Sequence, residues 1–434
     1  MQTFLNPSRQ EWPALTERNI PDDPAVGQAV SGIIEEVRAK GDEALREMAL
    51  KFDGTSVSEL EVSAAEIAKG CARVSEEVKA AIGLAKENIS KFHAAQLPHE
   101  VDVNTIPGVR CVQRPVAIDR VGLYIPGGQA PLFSTVLMLA CPAKIAGCRE
   151  IVLCTPQSRN QPIAPEILYA ASICGIDKIY RVGGAQAIAA MALGTETIAR
   201  VDKIFGPGNR YVTKAKQQLS SVVAIDMPAG PSEVLVMADE TAEPTFIAAD
   251  LLSQAEHGRD SQAILVCNSK AIAEKVDEEV KRLSGKLSRV ESVEGSLSHS
   301  RLIVFDNDTD TMLDFVNAYA PEHLIISMRD AWSVASRVRA AGSVFIGNYS
   351  PESAGDYASG TNHTLPTGAW ARSYSGVNID SFMRKITYQE LTRDGLALLA
   401  PTIVTMADAE GLDAHALAVK VRIADFFEIF TAGV

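Results

Sequence analysis

Within the stretch Pro244-Thr-Phe-Ile-Ala-Ala-Asp-Leu-Leu-Ser-Gln-Ala-Glu-His-Gly258, a side-chain carbonyl and an imidazole stand three residues apart, at Gln254 and His257. On one face of a helix such a pair can hold one metal ion or one polar ligand. A histidine near a helix C-terminus can equally serve the dipole and the last carbonyls alone. A second group is Pro321-Glu-His-Leu324, a carboxylate beside an imidazole at the start of an apolar run, the two partners of proton transfer. Neighbours on an extended segment point to opposite sides, so Glu322 and His323 are expected to serve two steps, or one water from two directions. A solvated strand end is the plain alternative. The long polar stretch 350–363 carries Glu352, Asp356 and His363, and loops of that length usually have a role, although Asp356 could simply cap a helix. Near the C-terminus Glu410 ends one helical stretch and His415 begins the next. Gln254, His257, Asp356 and His415 together would form a nitrogen and oxygen set without thiolate, suited to Zn²⁺ or Mn²⁺ with positions left for substrate.

Four glycine-rich turns are candidates for a nucleotide: Tyr124-Ile-Pro-Gly-Gly128, Val182-Gly-Gly-Ala-Gln186, Phe205-Gly-Pro-Gly-Asn209 and Met227-Pro-Ala-Gly-Pro-Ser232. Glycine lets a phosphate or a nicotinamide approach the backbone, and a following helix N-terminus favours an anion. None completes Gly-x-Gly-x-x-Gly, since Tyr211 stands where the third glycine belongs after Gly206 and Gly208. Each alone reads equally well as an ordinary tight turn. Four in one lobe favour the ligand. His93, His99 and His299 lie in polar surroundings away from these turns and read as solvated.

The elements that must position these groups follow from periodicity. Residues 1–20 read as an irregular arm, and Ala25 to about Gln96 as helical, with Ser63-Ala-Ala-Glu66 a capping box. Ten short β-rich runs follow: Val121–Ile125, Ile151–Cys154, Lys178–Val182, Val201–Phe205, Val222–Asp226, Glu233–Met237, Ala263–Cys267, Arg301–Phe305, His323–Ile326 and Ser343–Ile346. Amphipathic helical stretches such as Ala185–Ala199, Asn209–Leu219 and Ala271–Leu283 separate them. Continuous apolar strands alternating with helices predict parallel sheets covered on both faces, here two α/β lobes. After Gly376 the strands are expected to stop, leaving helical stretches Ser381–Glu410 and Asp413–Phe430. The boundaries expected are an arm over 1–20, a metal and catalytic lobe over 21–120 plus 232–376, a nucleotide lobe over 121–231, and a tail over 377–434.

Composition narrows the class. Of 434 residues 47% are apolar and 22% charged, with a net charge of −13 and no long basic run, which argues against nucleic acid and anionic membranes as partners. The opening Met1-Gln-Thr-Phe-Leu-Asn-Pro has no basic segment followed by an apolar one, so a signal peptide is not expected. Seven cysteines without Cys-x-x-Cys suggest reduced, mostly buried thiols and a cytoplasmic protein.

From about Ala25 to Phe430 the chain resembles the histidinol dehydrogenases. The resemblance rests on Val121-Gly-Leu-Tyr-Ile-Pro-Gly-Gly128, Phe205-Gly-Pro-Gly-Asn209, Asp226-Met-Pro-Ala-Gly-Pro-Ser-Glu233, Ser253-Gln-Ala-Glu-His257, Pro321-Glu-His323 and Ser353-Ala-Gly-Asp-Tyr-Ala-Ser-Gly-Thr-Asn-His363. It implies a four-electron oxidation of L-histidinol through bound L-histidinaldehyde to L-histidine, with one zinc per subunit and two NAD. It implies zinc ligands at Gln254, His257, Asp356 and His415, and a catalytic pair at Glu322 and His323. Substrate contacts then fall at Ser232, His363 and Glu410 besides the metal ligands and His323, and NAD contacts at Tyr124, Gln186 and Asn209. The fold implied is two incomplete Rossmann-like lobes related by duplication, with a helical C-terminal tail exchanged in a homodimer. Three rivals are an NAD-linked oxidation of another small alcohol, a zinc hydrolase, which would need no nucleotide turns, and a non-catalytic binding protein, against which the many acid–base groups in turns argue.

Overall fold

The computed structural model describes residues 1–18, 23–127, 131–157, 161–228 and 230–424. Two compact units share the chain: Met1–Gln96 with Ile118–Phe382, and Leu97–Ala117 with Met383–Val434. In chain order the strands are β1 (Gln2–Leu5), β2 (Val101–Ile106), β3 (Val109–Ala117), β4 (Arg120–Tyr124), β5 (Glu150–Cys154), β6 (Lys178–Tyr180) and β7 (Lys203–Phe205). They continue with β8 (Ala224–Ile225), β9 (Glu233–Ala238), β10 (Gln262–Cys267), β11 (Arg301–Val304), β12 (His323–Ser327), β13 (Ser343–Ile346) and β14 (Met383–Leu391).

The first unit holds two parallel sheets, ordered β6-β5-β4-β7-β8 and β1-β11-β10-β9-β12-β13. Each winds outward from a central strand, β4 or β9, first to one side and then to the other. Each therefore has a topological switch point, between β4 and β7 and between β9 and β12. The ten apolar runs all contain strands, because a central strand covered on both faces must be apolar at every position. In β9, Val234, Val236 and Ala238 enter one core while Leu235 and Met237 enter the other. Each such side chain contributes roughly 1.5–3 kcal/mol by leaving water. The Ser63 capping box forms as read, with Glu66 N–H donating to Ser63 Oγ and Ser63 N–H to Glu66 Oε2. The helix at 244 runs Pro244–Ala255, opened by proline and by the Glu243 carboxylate accepting from Thr245 N–H.

Four expectations are corrected. The first residues are not an irregular arm: Gln2–Leu5 pairs parallel with β11, and Trp12 is buried against the rings of Phe305 and Phe315. Strands do not stop after Gly376, since Met383–Leu391 forms β14. It pairs antiparallel with β3, which pairs with β2, so Leu97–Ala117 belongs with the C-terminal segment and not with the unit that holds the two parallel sheets. These strands carry exposed polar residues at most positions, and their ladder is charged, with Arg110 bridging Asp102 and Glu390. His93 is buried, closing the stripe Ile82, Ala85, Ile89 of helix Glu76–Ala94, where its Nδ1 lies 2.8 Å from Ile89 O.

In the second unit, helix Arg393–Ala409 and helix Asp413–Ile423 follow β14. Ala416 and Val419 are buried, whereas Leu417 and Val421 are exposed on this chain. Phe426, Phe427 and Phe430 of the expected tail helix lie outside the described residues, as do Gly128 and Ala229 of the glycine turns. Five of the seven cysteines are buried, and all are free thiols. No helix among the described residues is long and apolar enough to cross a membrane.

Candidate active site

The acid–base residues gather at the amino ends of β9 and β12. Helix Thr309–Tyr319 stops at Ala320, held in the left-handed region at φ 55°, and Pro321 then delivers Glu322 to the start of β12. Glu322 and His323 are both almost fully buried, which excludes a solvated strand end. They do not diverge as strand alternation predicts: Glu322 Oε2 lies 3.6 Å from His323 Nδ1. Glu322 precedes the first β12 residue, so the pleat does not yet govern it.

Both side chains are held by the backbone of Glu233, the first residue of β9. Glu233 N–H donates to Glu322 Oε2 at 2.8 Å, and Glu233 O stands 3.2 Å from His323 Nδ1. A carbonyl can only accept, so Nδ1 carries the proton and the lone pair of the neutral ring stays on Nε2. That nitrogen is buried without a hydrogen-bond partner, 3.6 Å from Asp356 Oδ1. Gln254, fully buried, is satisfied when its amide nitrogen donates to Glu233 O at 3.2 Å and Glu352 Oε1 at 3.1 Å, an orientation set by the hydrogen-bond network.

His257 follows the helix end, its N–H donating to Gln254 O. Glu352 and Asp356 stand four apart on helix Glu352–Tyr357. One ligand atom from each of His257, Glu352 and Asp356 lies within 4.8 Å of the others. Burial lifts the Glu322 and Glu352 carboxyls to about 8 each. Burial pulls His323 down, but the carboxylates of Glu352, Glu322 and Asp356 outweigh it and raise the imidazole to about 10. Asp356, although burial disfavours its charge, is held below the ordinary range by His323. Burial depresses His257 and His363. Three carboxylates around one imidazole, with Glu352 Oε2 and His323 Nε2 both unpartnered, are a donor set that fits a divalent cation.

His363 Nδ1 lies 3.1 Å from Asp356 O, which accepts from it, and its Nε2 lies 3.3 Å from Thr135 Oγ1 on helix Phe133–Ala146. Ser232 immediately precedes Glu233 and is half-buried. Glu410 and His415 belong to the second unit, at the C-cap of one helix and near the start of the next. Sequence reasoning gave Glu352 no role and passed over Glu233; the four-residue spacing of Glu352 and Asp356 was the available signal for the first.

At the carboxyl ends of the first sheet the glycine turns meet at the switch point. A Cβ on Gly206, at φ 130°, would sit 2.1 Å from Tyr124 O, so only glycine lets these two turns approach. Tyr124 is buried, its phenol pushed up to about 12 by burial, and its oxygen accepts from Gly184 N–H at 3.1 Å. Gln186 is buried in helix Gly184–Leu193, and Asn209 caps helix Arg210–Leu219 through its side-chain oxygen.

A doubly wound parallel sheet with a glycine-lined crevice, beside an acid–base pair and a cation-binding donor set, defines an α/β enzyme of the dehydrogenase type. A family model for histidinol dehydrogenase matches residues 16–423. A histidinol dehydrogenase of Bacteroides fragilis is 55% identical over 424 residues, covering 98% of this chain and 99% of the relative. One of Aliivibrio fischeri is 54% identical, covering 95% and 92%. The crystal structure of histidinol dehydrogenase from Elizabethkingia anophelis superposes with a TM-score of 0.95 at 49% identity, covering 98% of each chain. The chain belongs to the histidinol dehydrogenase family.

Proposed function

We propose that this oxidoreductase converts L-histidinol through bound L-histidinaldehyde to L-histidine, the last steps of histidine biosynthesis, using one zinc per subunit and two NAD. The observation that carries the reading is His323 Nε2, buried without a hydrogen-bond partner 3.6 Å from Asp356, whose carboxylate shares one donor cluster with His257 and Glu352. Zinc held by Gln254, His257, Asp356 and His415 supplies charge and an anchor that orients the substrate. NAD, contacted by Tyr124, Gln186 and Asn209, accepts a hydride in each oxidation.

The chain's own residues do the proton work. In its neutral form His323, with Nδ1–H held by Glu233 O, takes the hydroxyl proton on Nε2 as the hydride leaves the carbinol carbon. Glu322 has Oε2 tied to Glu233 N–H, leaving Oε1 for water. It takes a proton as the water oxygen bonds to the aldehyde carbon, and the hydrate loses the second hydride to give the carboxylate. Ser232, His363 and Glu410 hold the substrate, Glu410 accepting from the imidazole N–H. We assign 121–231 to the nucleotide lobe, 232–376 with the N-terminal helices to the metal and acid–base lobe, and 377–434 to a tail exchanged in a cytoplasmic homodimer. Exposed Leu398, Met406, Leu412 and Leu417 support a covered face on the tail. The test supplies L-histidinol and NAD⁺ and counts NADH. About two per substrate is expected when two hydrides leave in turn. One per substrate would reduce the enzyme to an alcohol dehydrogenase, and none would return the zinc hydrolase.

A further inference from the structure

The segment that follows the short helix Trp12–Leu15 ends on a charge clamp behind the acid–base pair. Residues 15–18 cross the amino ends of three strands of the six-stranded sheet. Leu15 O and Glu17 O accept from Arg301 at the start of β11, and Glu17 O also accepts from Gln262 at the start of β10. At β9 the crossing ends in Arg18. Its Nε donates to Glu233 Oε1 at 3.0 Å and its Nη2 to Glu233 Oε2 at 2.9 Å, a bidentate pair with side chains 10% and 2% exposed. Two further donors are also used. Nη1 reaches Thr16 O, Nη2 reaches Tyr319 O, and the guanidinium lies 3.6 Å over the Tyr319 ring. The remaining partner of the carboxylate is Gly368 N–H, at 2.6 Å from Oε1.

Glu233 is the residue whose backbone holds Glu322, His323 and Gln254 at once. We propose that Arg18 is a positioning residue for the reaction: its fork fixes the Glu233 side chain, and thereby the peptide that orients the base, the water-activating carboxylate and the amide of Gln254. A planar fork suits the task because it locks the carboxylate in two directions, where an ammonium would make one contact. The substrate roles rest on the function proposed above; the clamp itself rests on geometry alone. Misplacement of a catalytic group by a fraction of an ångström to 1 Å costs on the order of 10- to 100-fold in rate.

The test compares wild type with Arg18→Met and Arg18→Lys. In Arg18→Met kcat on histidinol should fall tenfold or more while KM for NAD stays within twofold, and Arg18→Lys should recover part of the loss. Combined with Glu322→Gln, Arg18→Met should add less than twofold to the loss in the aldehyde step, since that carboxylate is then already gone. Independently of activity, the Glu233 amide should exchange hydrogen at least tenfold faster in both variants. Should Arg18→Met not fold, Arg18→Lys carries the same comparisons. An unchanged kcat in a folded variant, with only a lower melting temperature, overturns the proposal whatever the exchange shows; unchanged exchange overturns it too. A wild type that makes no NADH refutes the functional reading instead, and exchange still decides whether Arg18 holds Glu233.

Discussion

Lys216→Met tests how the nucleotide crevice is held open. Lys216 and Asp226 form an ion pair whose side chains are 5% and 1% exposed, behind the turn that follows β7. Lys216 Nζ also donates to Gly206 O at 3.0 Å, while Asp226 accepts from Gly206 N–H at 2.9 Å and from Met227 N–H at 2.7 Å. Gly206 is thus gripped at both its amide and its carbonyl. Methionine preserves much of the bulk and removes the charge. Breaking a buried pair by deleting one partner costs about 3–5 kcal/mol, because the other charge stays buried. The two amides still bonded to Asp226 place the loss near the low end, and the unpartnered Gly206 carbonyl adds roughly 1 kcal/mol. The expected total, about 3–4 kcal/mol, is a large share of the ~5–15 kcal/mol typical of a folded domain. Urea unfolding reads it directly, and KM for NAD should rise about tenfold, with kcat less affected, as the turn relaxes. Lys216→Met/Asp226→Leu should be more stable than the single variant, since no charge is then stranded. A single variant within about 1 kcal/mol of wild type, or a double variant less stable than the single, would refute the clamp.

Chelation is expected to abolish activity while far-UV dichroism is retained, since the cores of the first unit do not depend on the donor set, and Zn²⁺ should restore turnover. Activity persisting after metal removal verified by elemental analysis would end the metal role. Mixed dimers of His257→Ala and His415→Ala, refolded together, should regain activity if the tail acts in trans, because one site then keeps every ligand; inactive mixtures with proven mixed dimers refute exchange. Burial raises the Asp53 carboxyl from 3.8 to about 6. Its folded value lies above its unfolded one, so the stability linked to the bound proton is present below pH 3.8 and lost as pH rises through about 6. Asp53→Asn should therefore gain melting temperature relative to wild type at pH 8 compared with pH 4, and a pH-independent difference counts against burial as the cause.

What was legible in the sequence follows from where the apolar residues had to go. β9, β10 and β12 are buried at every position, so their runs stood out without a partner in view. β14 is exposed at most positions and β2 nearly throughout, and their cross-strand ion pairs leave no apolar period to read. β1 has four residues at a sheet edge, too short to register. Gln254, His257, Asp356 and His323 could be named from residue type and spacing, but the role of Glu352 needed the hydrogen bond to the Gln254 amide. The convergence of Glu322 and His323 needed the knowledge that β12 begins only at His323. His93 sat four residues after Ile89 on a stripe that was there to be read, and polar neighbours hid it.

The two sheets use opposite ends. In the first, the glycine turns lie at the carboxyl ends of the strands, where open α/β sheets bind their ligands. In the second, Glu233, Glu322 and His323 lie at the amino ends. The connection explains this. Only residues 226–232 join the carboxyl end of β8 to the amino end of β9, and seven residues span roughly 25 Å at most. So short a link must bring the carboxyl edge of one sheet to the amino edge of the other. The bond between Thr135, on the helix that follows β4, and His363, beside Asp356, crosses the same seam. In the reaction proposed above, a hydride acceptor on the first sheet and a proton acceptor on the second would then meet at one carbon and its hydroxyl. At the carboxyl edge of the second sheet Asp239 is engaged by Thr241 and the Arg329 N–H. The 226–232 link, which the sequence alone presents as one more glycine turn, is the feature that sets these two edges side by side.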